Sequence, residues 1–213
     1  MSYLKEKPVA VKLIAVDMDG TFLDSAKRYN KARFLRQYAQ LKERDIRFVV
    51  ASGNQYYQLG SYFPEIAGEI AFVAENGAWI SDRNEEVFCG ELSADNVRRV
   101  MAILAQEPEI HTVVCGKRSA YISPAMPDET VALLSNHYRR LEKRADLDHI
   151  DDTIFKFSLN LPHDGVEPLI ARLEALNAAG NVVRPVSSGF GFVDLIIPGL
   201  HKAHGISLLQ QRW

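Results

Sequence analysis

The sequence predicts an α/β fold in which a parallel-sheet core is interrupted by an α+β block. Three observations predict it. Short apolar runs at 11–16, 47–51 and 70–74 alternate with helical stretches, the rhythm of parallel strands joined by right-handed crossovers. A middle block of roughly 100 residues then switches to hairpin and alternating patterns, enough chain for a second domain. Finally, acidic, hydroxyl and amide residues stand directly after the apolar runs, where open α/β sheets bind their ligands.

The elements follow in order. Run 11–16 reads as a buried strand ended by Asp17. Residues 30–44 carry Phe34, Tyr38 and Leu41 at helical spacing, with Lys and Arg between them. Strand 47–51 closes on Ser52-Gly53, and a helix over 55–63 is stopped by Pro64. Strand 70–74 ends at Glu75-Asn76-Gly77. In the middle block, 86–91 reads as a strand and 94–106 as a helix burying Val97, Val100, Met101 and Leu104. Segments 111–115 and 119–123 flank Gly116-Lys117, a hairpin signal. Helix 127–141 has Pro at its first turn, 154–161 alternates as a strand, and helix 166–176 stops by Gly180. Strands at 182–186 and 192–197 follow. Residues 205–213 place Ile206, Leu209 and Trp213 on one helical face, and this end reads as cut rather than capped.

Composition bounds the function. The 213 residues hold 25 Lys+Arg against 27 Asp+Glu, a formal net charge of -2, which argues against a nucleic-acid partner. No apolar run is long enough to span a bilayer. The opening MSYLKEKPVAVKL breaks its apolar residues with charges, unlike a signal peptide. Cys89 and Cys115 form no CxxC pair and read as reduced core thiols. A soluble cytoplasmic protein is expected, of open oligomeric state.

The strongest chemical signal is Asp17-Met18-Asp19-Gly20-Thr21. Carboxylates two residues apart in extended chain face one small volume, and a hard cation such as Mg²⁺ removes their conflict. Gly20 permits a sharp turn and close approach by a substrate. Such a pair suits phosphoryl transfer: one carboxylate attacks phosphorus while the other handles the proton. The plain alternative is a solvated acidic turn. Ser52-Gly53-Asn54 offers a hydroxyl and backbone N–H groups to a phosphate oxygen, although Ser52 or Asn54 equally suits an N-cap for the next helix. Lys202, opening the last helix, can neutralise charge that grows during transfer, or can simply be solvated. His201 and His204 lack further ligands at zinc-site spacing and read as surface residues.

Through VDMDGTFL, FVVASGNQYYQL, FVAENGA and SGFGFVDLIIPGLHKA, spanning residues 16–203, the chain resembles the haloacid dehalogenase superfamily. Within it, the chain looks most like the Cof-type subgroup and its enterobacterial sugar phosphatases. The resemblance implies a Rossmann-like core at 1–81 and 188–213, with an inserted cap at 82–187. It implies Asp17 as nucleophile and Asp19 as general acid/base, with Mg²⁺ held by the Asp17 carboxylate and the Asp19 carbonyl. Ser52 and Lys202 become the second- and third-motif residues, and Thr21, Gly53, Asn54 and Asn76 join the substrate cleft. The expected substrate is a small sugar phosphate, with phosphomutase chemistry a lesser variant.

Two departures stand out. Asn54 occupies a place where many relatives carry Arg, and no Asp or Glu follows residue 194 to supply the family's acidic fourth motif. The chain therefore reads as lacking its last core segment, with strand 11–16 left at a sheet edge. A catalytically silent remnant that only binds phosphate or a partner chain is the competing expectation. A nucleotide-binding domain is disfavoured, because no GxGxxG or GxxxxGK[ST] follows a strand.

Overall fold

A computed structural model describes residues 10–161, 167–178, 180–189 and 192–213. Two sheets carry the architecture. The first is five-stranded in the order β1-β2-β3-β4-β5: β1 Leu13–Val16, β2 Arg47–Ala51, β3 Ala71–Ala74, β4 Trp79–Asp82 and β5 Glu85–Cys89. β1, β2 and β3 run parallel, while β4 and β5 are added antiparallel. Helices α1 Lys31–Glu43 and α2 Tyr56–Ser61 make the crossovers. The side chain of Asn30 caps α1 by accepting from the Arg33 N–H.

Side-chain alternation buries both faces of this sheet. Phe48, Val50 and Phe72 pack with Phe34, Tyr38, Leu59 and Phe63 on the α1/α2 side. Val49, Ala51 and Val73 pack with Leu209 of α6 Lys202–Arg212 on the other. This two-sided burial explains why the strands read as continuous apolar runs. Among the described residues β1 pairs with β2 alone.

The second sheet is six-stranded in the order β10-β11-β9-β6-β7-β8. Its strands are β6 His111–Gly116, β7 Ala120–Ile122, β8 Leu141–Lys143, β9 Ile154–Asn160, β10 Arg184–Gly189 and β11 Phe192–Ile196. Helices α3 Ala94–Leu104 and α5 Glu167–Ala178 cover one face through Val97, Val100, Leu104, Leu169 and Leu173. Helix α4 Asp128–Ser135 packs Leu134 on the other, against Val113, Cys115 and Ile122. No described helix is long and apolar enough to cross a membrane.

Four local expectations change. The helix expected over 127–141 stops at Ser135, capped by Asn136, and Leu141–Lys143 is a strand beside β7. The reason is tertiary: the Gln55 side chain bonds both backbone groups of Arg140 and holds that stretch extended. β4 had no sequence signal of its own, because its hairpin to β5 turns at Arg83-Asn84. Both residues have positive φ, the two-residue hairpin conformation that Asn-Gly usually announces. The strand expected at 182–186 begins at Arg184, and the first residue expected in helix 166–176 lies outside the described residues. Lastly, β4 and β5 extend the first sheet and β11 belongs to the second. Sheet membership changes near Gly90 and after Ile196.

Candidate active site

The carboxyl ends of β1, β2 and β3 and the start of α6 are tied together by side-chain and backbone contacts. After β1 the chain turns tightly, the Phe22 and Leu23 N–H groups returning to the Met18 carbonyl at 3.1 and 2.9 Å. Gly20 sits at φ 69° in open space, so backbone conformation rather than crowding favours glycine here. Thr21 is exposed on this turn. Phe22 anchors the turn in a ring cluster with Tyr29, Phe34, Phe48 and Phe63.

Asp17 and Asp19 each hold an ammonium. Lys202 Nζ donates to Asp17 Oδ1 at 2.7 Å, across 185 residues of chain. Lys27 Nζ donates to Asp19 Oδ1 at 2.5 Å, and Asn54 Nδ2 to Asp19 Oδ2 at 2.8 Å. Burial alone would raise the Asp19 pKa, but the Lys27 and Asn54 hydrogen bonds bring it below the ordinary carboxylate value.

The loops after β2 and β3 are stitched together. The Asn76 N–H donates to the Ser52 carbonyl and the Glu75 N–H to the Asn54 carbonyl, both at 3.2 Å. Ser52 is buried, and its Oγ accepts from the Asn54 N–H at 3.1 Å. The capping alternative for this pair does not hold, because α2 is capped at Gln55 without a side-chain bond. A Cβ on Gly53 would lie 2.8 Å from Asn76 Oδ1, so glycine lets the Asn76 amide rest directly on this backbone. Asn76 itself adopts φ 57°, a left-handed conformation asparagine tolerates. Beneath the same turn, a Cβ on Gly77 would lie 2.5 Å from the His201 carbonyl oxygen. That close packing fixes where α6 begins, and with it Lys202.

Contacts thus link Lys202 to Asp17, Asp19 to Asn54, and Asn54 through Ser52 and Gly53 to Asn76, while Thr21 lies exposed on the turn that follows Asp19. Several residues had no motif to announce them. Lys27, at φ 58°, comes from a polar stretch. His137, beyond α4, is close enough to Asp19 and Lys27 to interact electrostatically, and burial followed by the Lys27 charge lowers its pKa. Gln55 clamps Arg140, whose guanidinium lies 3.4 Å from the Tyr57 ring centroid. Lys156 and Asp194, buried on the second sheet, also reach these loops. Among the described residues no cluster of three or more His, Cys, Asp or Glu is placed to hold a metal. A cation at this strand end would draw on Asp17 and Asp19.

Comparison with known proteins shows the family. The haloacid dehalogenase-like hydrolase family matches residues 14–213. The 5-amino-6-(5-phospho-D-ribitylamino)uracil phosphatase YbjI of Escherichia coli strain K12 is 49% identical over 205 residues, covering 96% of this chain and 75% of the relative. The structure of SMU.1108c from Streptococcus mutans UA159 superposes with a TM-score of 0.85 at 34% identity, covering 96% of this chain and 77% of that one. The subclass IIB sugar phosphatase BT4131 shares the fold with a TM-score of 0.73 at 12% identity, covering 95% of this chain and 76% of that one. With the match running from β1 through α6, the chain belongs to the haloacid dehalogenase-like hydrolase family.

Proposed function

We propose that the protein is a Mg²⁺-dependent phosphatase that hydrolyses small sugar phosphates through an aspartyl-phosphate on Asp17. The observation that carries the reading is the pairing of Lys202 with Asp17 at 2.7 Å, beside Asp19 and the Ser52 loop.

In the first half-reaction an Asp17 carboxylate oxygen attacks phosphorus as the P–O bond to the sugar breaks. Asp19 gives its proton to the departing oxygen, which leaves as an alcohol. In the second, Asp19 takes a proton from water, whose oxygen attacks phosphorus and returns Asp17 as a free carboxylate beside inorganic phosphate. Lys27 and Asn54 favour the ionised form of Asp19. The acid role therefore requires proton uptake as the anionic phosphate enters, which raises the pKa of any nearby carboxylate. Lys202 and the Ser52 hydroxyl face the phosphoryl oxygens, where negative charge must be balanced. Oxygen donors that already attract ammonium ions suit a hard cation that keeps most of its coordination for water and phosphate. Mg²⁺ held by the Asp17 carboxylate and the Asp19 carbonyl would screen phosphoryl charge.

The substrate class rests on the 49% identical relative, whose name carries a phosphorylated ribityl group. His137, which interacts electrostatically with Asp19 and Lys27, would lie toward the sugar end. The test is hydrolysis of p-nitrophenyl phosphate and a panel of sugar and polyol phosphates with Mg²⁺. Turnover should stop with EDTA and vanish in Asp17→Asn. Activity indifferent to both treatments overturns the reading, and a folded chain without turnover favours a silent phosphate-binding remnant.

A further inference from the structure

Asp194 and Lys156 lie on adjacent strands of the second sheet, yet their bonds run to the catalytic loops of the first. β9 and β11 are antiparallel with Ser158 opposite Asp194 and Lys156 opposite Ile196, which puts both charged residues on one face. Lys156 Nζ donates to Asp194 Oδ2 and to the Gly53 carbonyl, each at 2.7 Å. Asp194 Oδ2 also accepts from Asn76 Nδ2 at 2.8 Å. Lys156 is 3% exposed and Asp194 4% at its side chain, with the Glu75 carboxylate 3.7 Å from the ammonium. Buried charges are costly to desolvate, and packed apolar residues of similar volume often serve stability as well. What this pair adds is geometry: one ammonium and one carboxylate hold the Gly53 backbone and the Asn76 amide in register.

We propose that Lys156 and Asp194 are positioning residues for the cleft, through which the docked second sheet sets the loops bearing Ser52, Asn54 and Asn76. This rests on the phosphatase reading above. Without the pair, the phosphate-facing loops keep their local bonds but lose their common reference. A misplacement of about 1 Å lowers turnover by up to about 10²-fold.

Lys156→Met, Asp194→Asn and the double variant test it, each followed by thermal unfolding and by kcat and KM for p-nitrophenyl phosphate with Mg²⁺. Lys156→Met takes the ammonium away from the Asp194 carboxylate, and Asp194→Asn leaves Lys156 with Glu75 at 3.7 Å in place of its 2.7 Å partner. Each should therefore lower the unfolding temperature, whereas the double change removes both charges of the pair and should recover part of it. Positioning predicts that kcat in the double variant stays at least about tenfold below wild type despite that recovery. A double variant whose kcat returns with its stability overturns the inference and leaves the pair structural. The Asn76 side-chain amide resonances report position without turnover. They should shift in the double variant, and unchanged resonances overturn the inference even if the wild type is inactive. A wild type without turnover counts against the phosphatase reading alone.

Discussion

Replacing Lys202 by Met separates the worth of its ion pair in folding from its worth in catalysis. The side chains of Lys202 and Asp17 are 38% and 44% exposed, so water screens their 2.7 Å contact in the resting protein. Pairs exposed to this degree contribute about 0–1 kcal/mol to stability. For a chain of this size that is a shift in unfolding temperature of about 2–4 °C at most. The transition state is another matter. On the proposed mechanism, phosphoryl transfer to Asp17 builds negative charge directly beside the Lys202 ammonium. Loss of one preorganised donor there costs about 10²–10³ in kcat, roughly 2.7–4 kcal/mol. Met keeps the length of the aliphatic stem, so the start of α6 has no packing reason to move. The assay is steady-state hydrolysis of p-nitrophenyl phosphate with saturating Mg²⁺, alongside a thermal melt. A nearly intact melt with a collapsed kcat is the expected pair of results. A kcat within about threefold of wild type, or a loss that follows unfolding, would refute the reasoning.

Three other outcomes follow from the same geometry. Gly77→Ala places a Cβ 2.5 Å from the His201 carbonyl oxygen at φ 93°, so it should cost about 2–4 kcal/mol in chemical denaturation and lower kcat as Lys202 is displaced. A melt equal to wild type would show that the turn relaxes freely. Burial, only partly offset by Lys156, pushes the Glu75 carboxyl up to about 7 from 4.5. The folded state therefore holds this proton more tightly than the unfolded one. That contribution is complete below about 4.5 and is lost as pH rises to about 7. Glu75→Gln should remove this loss and gain on the order of 1–3 kcal/mol at a pH of about 8 relative to 4.5. Parallel melting curves of wild type and variant across that window would contradict it. Burial pushes the Cys115 thiol well up and raises that of half-buried Cys89. Ellman's reagent should leave Cys115 unlabelled in the native protein and react with both thiols after denaturation, and prompt native labelling of Cys115, mapped by peptide mass, would contradict this.

Much of the core was legible because its physics is local. Strands buried on both faces read as apolar runs, and the residues that end them contact one another and Lys202. The inserted sheet was less legible where tertiary contacts override pattern. Nothing within 136–143 forecasts that Gln55 will hold Arg140 extended. Lys27 was invisible for a similar reason, since it reaches Asp19 by a backbone turn that its neighbours do not announce. Lys156 and Asp194 did leave a trace: each is the lone charge among apolar neighbours, Ile-Phe-Lys-Phe and Val-Asp-Leu-Ile, and the signs are opposite. Read together, they forecast a buried pair. What the pair reaches depends on how the two sheets dock, which no strand pattern contains.

The long separation between Asp17 and Lys202 also bears on the order in which the protein matures during synthesis. β1, β2 and β3 can associate early, since each crossover closes only a modest loop. The lysine arrives only after the whole inserted sheet has left the ribosome. Until then a nascent chain carries Asp17 without its counter-charge, so on the proposed mechanism a half-made molecule stays chemically idle while its second domain is still being built.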